Sequence, residues 1–228
     1  LEMAERAWDF SMQYLCREDR LLRSFRIRPS GAAGFLDDYA FQIQAGISLY
    51  EATLNRKYLD AANRFLDYVN DAFADGDGLY WYTSVHTHDL VVRKKETYDN
   101  VIASSNAVMA AVLHRMGVLL DRADWISHSR AMVSFMLDPM QRNPAYASAW
   151  GIAMIEHLYG LDEVVIAGDD ALHFREALGN TFLPFSLHCG TGGEPVLPPA
   201  AGKQVPEGVN SIYICHRYAC QAPVATVE

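Results

Sequence analysis

The sequence predicts a mainly α-helical protein of the α/α toroid class, built from helical hairpins, with an inserted β-hairpin and a small C-terminal α/β appendage. Apolar residues recur every three or four positions through most of residues 1–160, which is the spacing of amphipathic helices. Long loops lie on one side of these helices, as in folds whose loops line a central cleft. Short β-type runs replace the helical pattern after Gly160, so we divide the chain into 1–160, part of the toroid, and 161–228, a β-α-β appendage with a cysteine-containing tail.

The N-terminal third of the chain contains three predicted helices. The first covers residues 3–22, where apolar side chains form one stripe. The second covers residues 36–54 and the third covers residues 58–69. Asn55 lies between them as a plausible cap, and the short connection predicts an αα-hairpin.

A long loop interrupts the helical pattern at residues 75–100. Its runs 79–83 and 90–92 favour β structure and follow a Gly-Asp-Gly turn, so we predict a β-hairpin on this loop. Helical spacing then returns in three segments, at 108–116, 125–135 and 147–158. Asn143, which precedes a proline, is expected to start the last of these helices, and Gly160 is expected to end it.

The C-terminal segment has the pattern of a small β-α-β unit. Residues 163–168 and 182–188 are predicted strands, and residues 170–178 are a predicted helix between them. Cys215 and Cys220 are spaced too widely for a redox C-x-x-C motif, and no second pair completes a zinc site. We therefore interpret these two cysteines as a structural pair.

Composition and charge exclude several classes of partner. The formal net charge of the 228 residues is −9, which provides no basic surface for nucleic acid or for an anionic membrane. No apolar run reaches the roughly 18 residues that a transmembrane helix needs.

Four irregularly spaced cysteines favour a reducing compartment, so we predict a cytoplasmic protein. The chain begins with Leu1 inside a helical pattern, and we expect further sequence upstream of it.

Two adjacent carboxylates, Asp37 and Asp38, stand at the start of the second predicted helix. Paired carboxyl groups can act as acid and base, or as acid and nucleophile, in glycoside cleavage. Neighbours on a helix point about 100° apart, so these two are not expected to form that pair by themselves. The alternative is that both favour the positive end of the helix dipole and that one of them is a cap.

The loop and the start of the next helix are dense in polar side chains. Those that we consider for a site are Arg93, Lys95, Asp99, Ser104 and Asn106. Many donors and acceptors suit a polyhydroxyl ligand, and Trp81 or Tyr82 could cover the face of a sugar. The alternative is a solvated hairpin followed by a serine-rich helix cap. His86 and His88 could be two metal ligands, but no third ligand follows at a recognisable spacing, so we predict no metal. The sequence has no glycine-rich phosphate-binding turn, so we also predict no cofactor.

Five motifs, taken in order, carry a family resemblance. They are GFLDDYAF at 34–41, LYEATLNRKYLDAA at 49–62, LVVRKKETYDNVIASSNAV at 90–108, EVVIAGD at 163–169 and CHRYACQAPV at 215–224. In that order they resemble the C-terminal region of the spermatogenesis-associated thioredoxin-like protein family, whose bacterial members are of the YyaL type. The resemblance implies an (α/α)6 toroid similar to N-acylglucosamine 2-epimerases and six-hairpin glycosidases, located downstream of a thioredoxin-like domain.

The resemblance also implies the residues of a cleft. Carried over from the first and third motifs, these are Asp37, Asp38, Tyr39, Arg93, Lys95, Asp99, Ser104 and Asn106. The family's usual Pro-Ser-Gly-Asn-Ser stretch reads Ala-Ser-Ser-Asn-Ala at 103–107 in this sequence. The proline and the glycine that shape that turn are therefore missing.

Together these inferences predict a glycosidase-like or epimerase-like domain that binds or processes a carbohydrate. Asp37 or Asp38 would move a proton, and Asp99 would be the opposing carboxylate. The substrate-binding residues would be Tyr39, Arg93, Lys95, Ser104 and Asn106. The alternative is a non-catalytic helical scaffold that supports the upstream thioredoxin-like redox domain, with its carboxylates engaged in salt bridges.

Overall fold

The computed structural model describes residues 1–28, 31–87, 91–192, 196–217 and 219–226. The helices within these residues are α1 Glu2–Tyr14, α2 Leu36–Thr53, α3 Arg56–Ala72, α4 Ser105–Leu119, α5 Ala123–Phe135, α6 Leu137–Arg142, α7 Ser148–Tyr159 and α8 Ala171–Leu178. The strands are β1 Cys16–Arg17, β2 Arg20–Leu21, β3 Asp162–Ala167, β4 Ser186–Gly190, β5 Ser211–His216 and β6 Ala219–Cys220. The prediction of a mainly helical protein is confirmed.

Helices α2 and α3 form the predicted hairpin, and α4 packs against α2, α5 and α7. Asn55 caps α3 as expected, because its side chain accepts a hydrogen bond of 3.1 Å from the backbone N–H of Lys57. Twelve of the 15 residues of α4 are buried, whereas α3 buries one face. Helix α4 is therefore the central helix of the fold, surrounded on nearly every side.

The first turns of α2, α4 and α7 lie at the same end of the fold. The backbone N–H of Leu36 in α2 donates to the carbonyl of Tyr82 at 2.9 Å, and Tyr80 bonds to the side chain of Asn106 in α4 at 2.8 Å. Asp99 accepts hydrogen bonds from the starts of both α4 and α7. We call this end the polar end: it consists of these three first turns together with residues 79–87 and 91–104.

The first predicted helix is too long. Helix α1 ends at Tyr14, and the chain then turns through Glu18 and Asp19 to pair β1 with β2. Both turn residues have left-handed backbone angles, with φ of 49° and 59°, which a helix cannot continue through. The prediction of a helix over residues 3–22 was wrong in its second half for this reason.

The predicted β-hairpin at 79–83 and 90–92 is not formed in the residues that the structure describes; residues 88–90 lie outside them. Tyr80 makes one isolated bridge with Ala74, and no strand runs through 79–87 or 91–99. One backbone hydrogen bond does join the two sides of the loop, from the N–H of Tyr82 to the carbonyl of Lys94 at 2.8 Å. At Tyr80, however, both the N–H and the carbonyl bond to the side chain of Asn106, so a distant side chain takes the place of a partner strand there.

The start of the last large helix also differs from the prediction. Asn143 makes no side-chain capping bond there and precedes a short 3-10 turn, Pro144–Tyr146, so α7 begins only at Ser148. The end of α7 is as expected, because Gly160 follows it with a φ of 86°.

The predicted β-α-β unit is confirmed, because β3 and β4 are parallel neighbours and α8 connects them. The second strand is shorter than predicted and begins at Ser186. Strand β5 pairs antiparallel with β3 on its other side, and β6 completes the sheet in the order β4-β3-β5-β6. Cys215 and Cys220 form a disulfide between β5 and β6, which is compatible with the interpretation of a structural pair. A disulfide is typical of an oxidising compartment, so it does not favour the predicted reducing one.

The predicted boundary at residue 160 falls between α7 and β3. Across it the helical core continues into the sheet through Val165, Leu187 and Cys189, which are all buried. Among the described residues, no helix combines the length and the apolar character needed to span a bilayer.

Candidate functional site

Asp37 lies in the first turn of α2, where it is 8% exposed. Its Oδ1 accepts a hydrogen bond of 2.7 Å from the guanidinium of Arg23. Its Oδ2 accepts a hydrogen bond of 3.1 Å from the hydroxyl of Tyr82, which reaches it from the long loop. Both oxygens of Asp37 are therefore occupied by protein groups.

Asp38 has a different environment, although it is the next residue. Its Oδ2 accepts 2.8 Å from the backbone N–H of Phe35 at the start of the helix, and it lies 2.9 Å from Arg23. In the described part of the chain, its Oδ1 has no hydrogen-bond partner, and 24% of its side chain is exposed. Burial raises the pKa of Asp38, and the nearby charge of Asp37 adds to that increase.

Asp99 connects two helices. Its Oδ1 accepts 2.9 Å from the backbone N–H of Ser104, just before α4. Its Oδ2 accepts 2.8 Å from the backbone N–H of Ala149 and 3.1 Å from the hydroxyl of Ser148, both in the first turn of α7. Helix N-termini carry unpaired N–H groups and a positive dipole, so a buried carboxylate is well placed between them.

Ser104 and Asn106 also have their polar atoms occupied. The hydroxyl of Ser104 caps α4 by accepting 3.1 Å from the backbone N–H of Ala107. The amide of Asn106 accepts from Tyr80 N–H at 2.8 Å and donates to the carbonyls of Tyr80 and Glu96 at 3.0 and 2.9 Å. Asn106 is completely buried and holds the loop against α4.

Arg93 and Lys95 gather around the ring of Trp81. Their charged groups lie 5.0 and 4.9 Å from its centroid, which is cation–π distance. Arg93 donates to the carbonyl of Thr83, and Lys95 forms an ion pair with Asp75. Burial lowers the pKa of Arg93. All three of these side chains are half-buried, so each keeps a face toward solvent.

Tyr39 is a core residue. It is 1% exposed, and its hydroxyl accepts 2.7 Å from the backbone N–H of Leu21, which fixes β2 against α2. Burial raises its pKa. Tyr39 also lines a cavity of about 320 Å³, together with Tyr68, Arg20 and His86.

The structure thus brings the predicted residues to the polar end, but most of them bond to the protein itself. Asp38 differs from the predicted carboxylates Asp37 and Asp99, because its Oδ1 has no hydrogen-bond partner among the described residues. In the same part of the chain, no three histidine, cysteine or acidic side chains are close enough to hold a metal ion. His88, the second residue of the predicted histidine pair, lies outside the described residues.

A second cluster of ionisable groups, absent from the predictions, lies further along α4 and α7. Glu156 is 2% exposed and accepts two hydrogen bonds from the guanidinium of Arg115, at 2.6 and 3.1 Å. Arg115 also lies 3.8 Å from Glu51 of α2. Burial raises the pKa of Glu51, whereas the partners His114 and Arg115 hold the pKa of Glu156 below its usual value against the effect of its burial.

Two histidines continue this cluster. The rings of His114 and His157 stack with centroids 4.0 Å apart, and Nε2 of His157 bonds to the hydroxyl of Ser129 at 2.7 Å. Burial lowers the pKa of His157 to about 4, so this side chain is neutral at pH 7. Both histidines line a cavity of about 740 Å³ between α4, α5, α7 and the C-terminal sheet.

Comparison with known proteins supports the family resemblance. Spermatogenesis-associated protein 20 of Rattus norvegicus is 27% identical over 203 residues, covering 84% of this chain and 26% of that protein. The protein of the same name from Homo sapiens is 25% identical over 225 residues, covering 90% of this chain and 29% of its own length. The matches support the spermatogenesis-associated protein 20 family. An uncharacterized protein of Caenorhabditis elegans is 22% identical over 243 residues and covers the whole chain.

The chain spans about a quarter to a third of the length of these relatives, at 26%, 29% and 33%. No known family model matches the chain. The names of the spermatogenesis-associated protein 20 relatives state no chemistry, so the family by itself assigns no reaction to the polar end or to the second cluster.

The sequence contains a signal for the second cluster. Arg115 is the one lysine, arginine, aspartate or glutamate in α4, and Glu156 is the one such residue in α7. A single charge on an otherwise apolar, buried helix requires a partner, because an unpaired buried charge is costly. Opposite charges on two such helices therefore predict a contact, a rule that would have found this pair.

Proposed function

We propose that this chain is the carbohydrate-binding part of a larger protein, glycosidase-like or epimerase-like in ancestry, and that Asp38 moves a proton. The observation that carries the proposal is the state of Asp38: half-buried, with a raised pKa and one oxygen without a partner in the described residues. A raised pKa favours the uncharged form of a carboxyl group, which can then act as a general acid. We further propose a cytoplasmic location and an (α/α)6 arrangement of the helical hairpins.

Other side chains of the polar end support a role in binding a polyol. Trp81 offers an aromatic face, and Arg93 and Lys95 offer donors beside it. The remaining predicted residues take positioning roles in this proposal, because their polar atoms are bound within the protein. Those residues are Asp37, Tyr39, Asp99, Ser104 and Asn106.

A thermal-shift screen against mono-, di- and amino-sugars tests binding, because a ligand of the native state raises its stability by mass action. A sugar that raises the melting temperature is then carried into assays of hydrolysis and epimerisation. We expect Asp38→Asn to keep the shift and to lower turnover by about 10²- to 10⁴-fold. Trp81→Ala should remove the shift.

Asp138→Asn serves as the control, because Asp138 is an exposed carboxylate on α6 without an ion pair in the described residues. Its turnover and its thermal shift should equal those of the unaltered protein. Equal turnover of Asp38→Asn and Asp138→Asn would remove Asp38 from the mechanism.

The second candidate is a non-catalytic helical scaffold that supports an upstream thioredoxin-like redox domain. The observation that favours it is that every oxygen of Asp37 and Asp99 is bound by protein groups. Carboxylates in that state hold structure rather than transfer protons. If no sugar in a broad panel shifts the melting temperature, this candidate replaces the first.

A further inference from the structure

A cavity of about 740 Å³, whose lining does not include Asp38, opens between the helices and the C-terminal sheet. Its volume is within the range of small-molecule sites, which occur preferentially where two structural layers meet. Part of its wall is apolar and is formed by Val118, Ile126 and Leu161. The cavity therefore has both the size and the apolar surface needed to take up an organic molecule.

Three cationic side chains from different elements line the same cavity: Arg130 of α5, Lys203 of the loop before β5, and Arg217 just after β5. Within the described ranges, none of them forms an ion pair with a carboxylate. Arg217 donates to the carbonyl of Leu158 at 3.0 Å, and Lys203 donates to the carbonyl of Pro199. In a chain whose formal net charge is −9, three cations are concentrated around one space.

Two carboxylates, Asp121 and Glu163, also line this cavity. Burial raises the pKa of Glu163, although the nearby charge of Lys203 opposes that increase. His157 contributes no charge at neutral pH because burial lowers its pKa to about 4. With three cations against two carboxylates, the formal charge of the lining is positive by one.

We propose that this cavity binds a small organic phosphate. The phosphate group would be held by Arg130, Lys203 and Arg217, and the organic part would lie on the apolar wall. A phosphate carries up to two negative charges and presents several acceptor oxygens, so it fits a cavity lined by several cations better than a carboxylate does. Asp38 does not line this cavity, so the phosphate proposal does not depend on the carbohydrate proposal.

Isothermal titration of the purified protein with matched pairs of probes tests the proposal. Adenosine monophosphate is compared with adenosine, glucose 6-phosphate with glucose, and inorganic phosphate is measured alone. We expect the organic phosphates to bind, the neutral members to give no heat, and inorganic phosphate to bind more weakly because it lacks an apolar part. Added salt should weaken binding of the phosphates.

Two variants locate the site. Arg130→Gln and Lys203→Gln should each weaken binding of the better organic phosphate by about ten- to hundredfold, the effect of losing a charged hydrogen-bond partner. Arg142→Gln is the matched control, an exposed arginine at the end of α6 away from the cavity lining, and it should bind as the unaltered protein does. The melting temperature without ligand checks that each variant is folded.

Three results would overturn the proposal. They are no binding of either organic phosphate, equal binding of the neutral member of a pair, and an equal loss in Arg142→Gln, which would indicate only general electrostatic attraction. Asp38→Asn should bind the phosphate normally, which keeps this test distinct from the test of the polar end.

Discussion

Replacement of Asp99 by asparagine separates a structural role from a catalytic one. The side chain keeps its shape, but one of its oxygens becomes an NH₂ group that faces a hydrogen-bond donor. At present the carboxylate accepts two backbone N–H groups, at 2.9 and 2.8 Å, and a hydroxyl at 3.1 Å, and it is 8% exposed. Hydrogen bonds to a charged group contribute about 1.5–3 kcal/mol each, so losing one and weakening another should lower the free energy of unfolding by about 3 kcal/mol.

Urea denaturation measures this loss. With a slope of about 2–3 kcal/mol per molar urea for a domain of this size, the midpoint should fall by about 1 M without a change in the slope. Asp138→Asn, on the exposed surface of α6, should change the free energy of unfolding by less than about 0.5–1 kcal/mol. An unchanged midpoint in Asp99→Asn, together with the loss of an activity, would refute the structural role and restore Asp99 as the opposing carboxylate.

Three further perturbations follow from the described contacts. Glu156→Gln should lower the free energy of unfolding by about 3 kcal/mol in urea denaturation, because it removes the buried charge that Arg115 binds at 2.6 Å and leaves Arg115 only the more distant Glu51. Gly46→Ala should lower the melting temperature, because the added Cβ would lie 3.0 Å from three neighbouring atoms. Gly151→Ala should raise the melting temperature, because alanine loses less conformational entropy than glycine when the helix forms and no atom lies within 4 Å of the added Cβ. The urea midpoint should fall as the pH is lowered from about 6.5 toward about 4, and His157→Gln should reduce that fall.

The sign of the pH effect follows from the direction of the pKa shift. The pKa of His157 is lowered in the folded state, so the unfolded chain binds the proton more readily and stability is lost as the pH falls through this window. A pH profile in His157→Gln that equals that of the unaltered protein would contradict this cause. A stabilising Gly46→Ala would contradict the close packing of α1, α2 and α3, and a neutral Glu156→Gln would contradict a buried pair.

Local chemistry explains which elements could be predicted. The hairpin of α2 and α3 follows from the apolar stripes and from Asn55, whose cap contacts a residue two positions away. The end of α7 at Gly160 requires only the backbone freedom of glycine. Such signals act within a few residues, so the sequence alone contains them.

The failed prediction of a β-hairpin has the opposite cause. The segment 79–83 has β-type residues, yet Tyr80 bonds to Asn106, which lies 26 positions along the chain. A propensity describes what a segment prefers, but its partner depends on which groups the fold brings to it. The strand pattern therefore identified an extended segment and could not identify its partner.

The protein as a whole combines features that the sequence predicts with features that depend on the tertiary structure. By itself, the sequence determined the helical character, the β-α-β unit and the grouping of polar residues around α2 and α4, because spacing and composition encode these features. Only the tertiary structure decided that Asp99 fastens two helices, whereas Asp38 keeps an oxygen free in the described residues. A carboxylate's role depends on burial and on the donors around it, and in this fold those donors come from positions distant in the sequence.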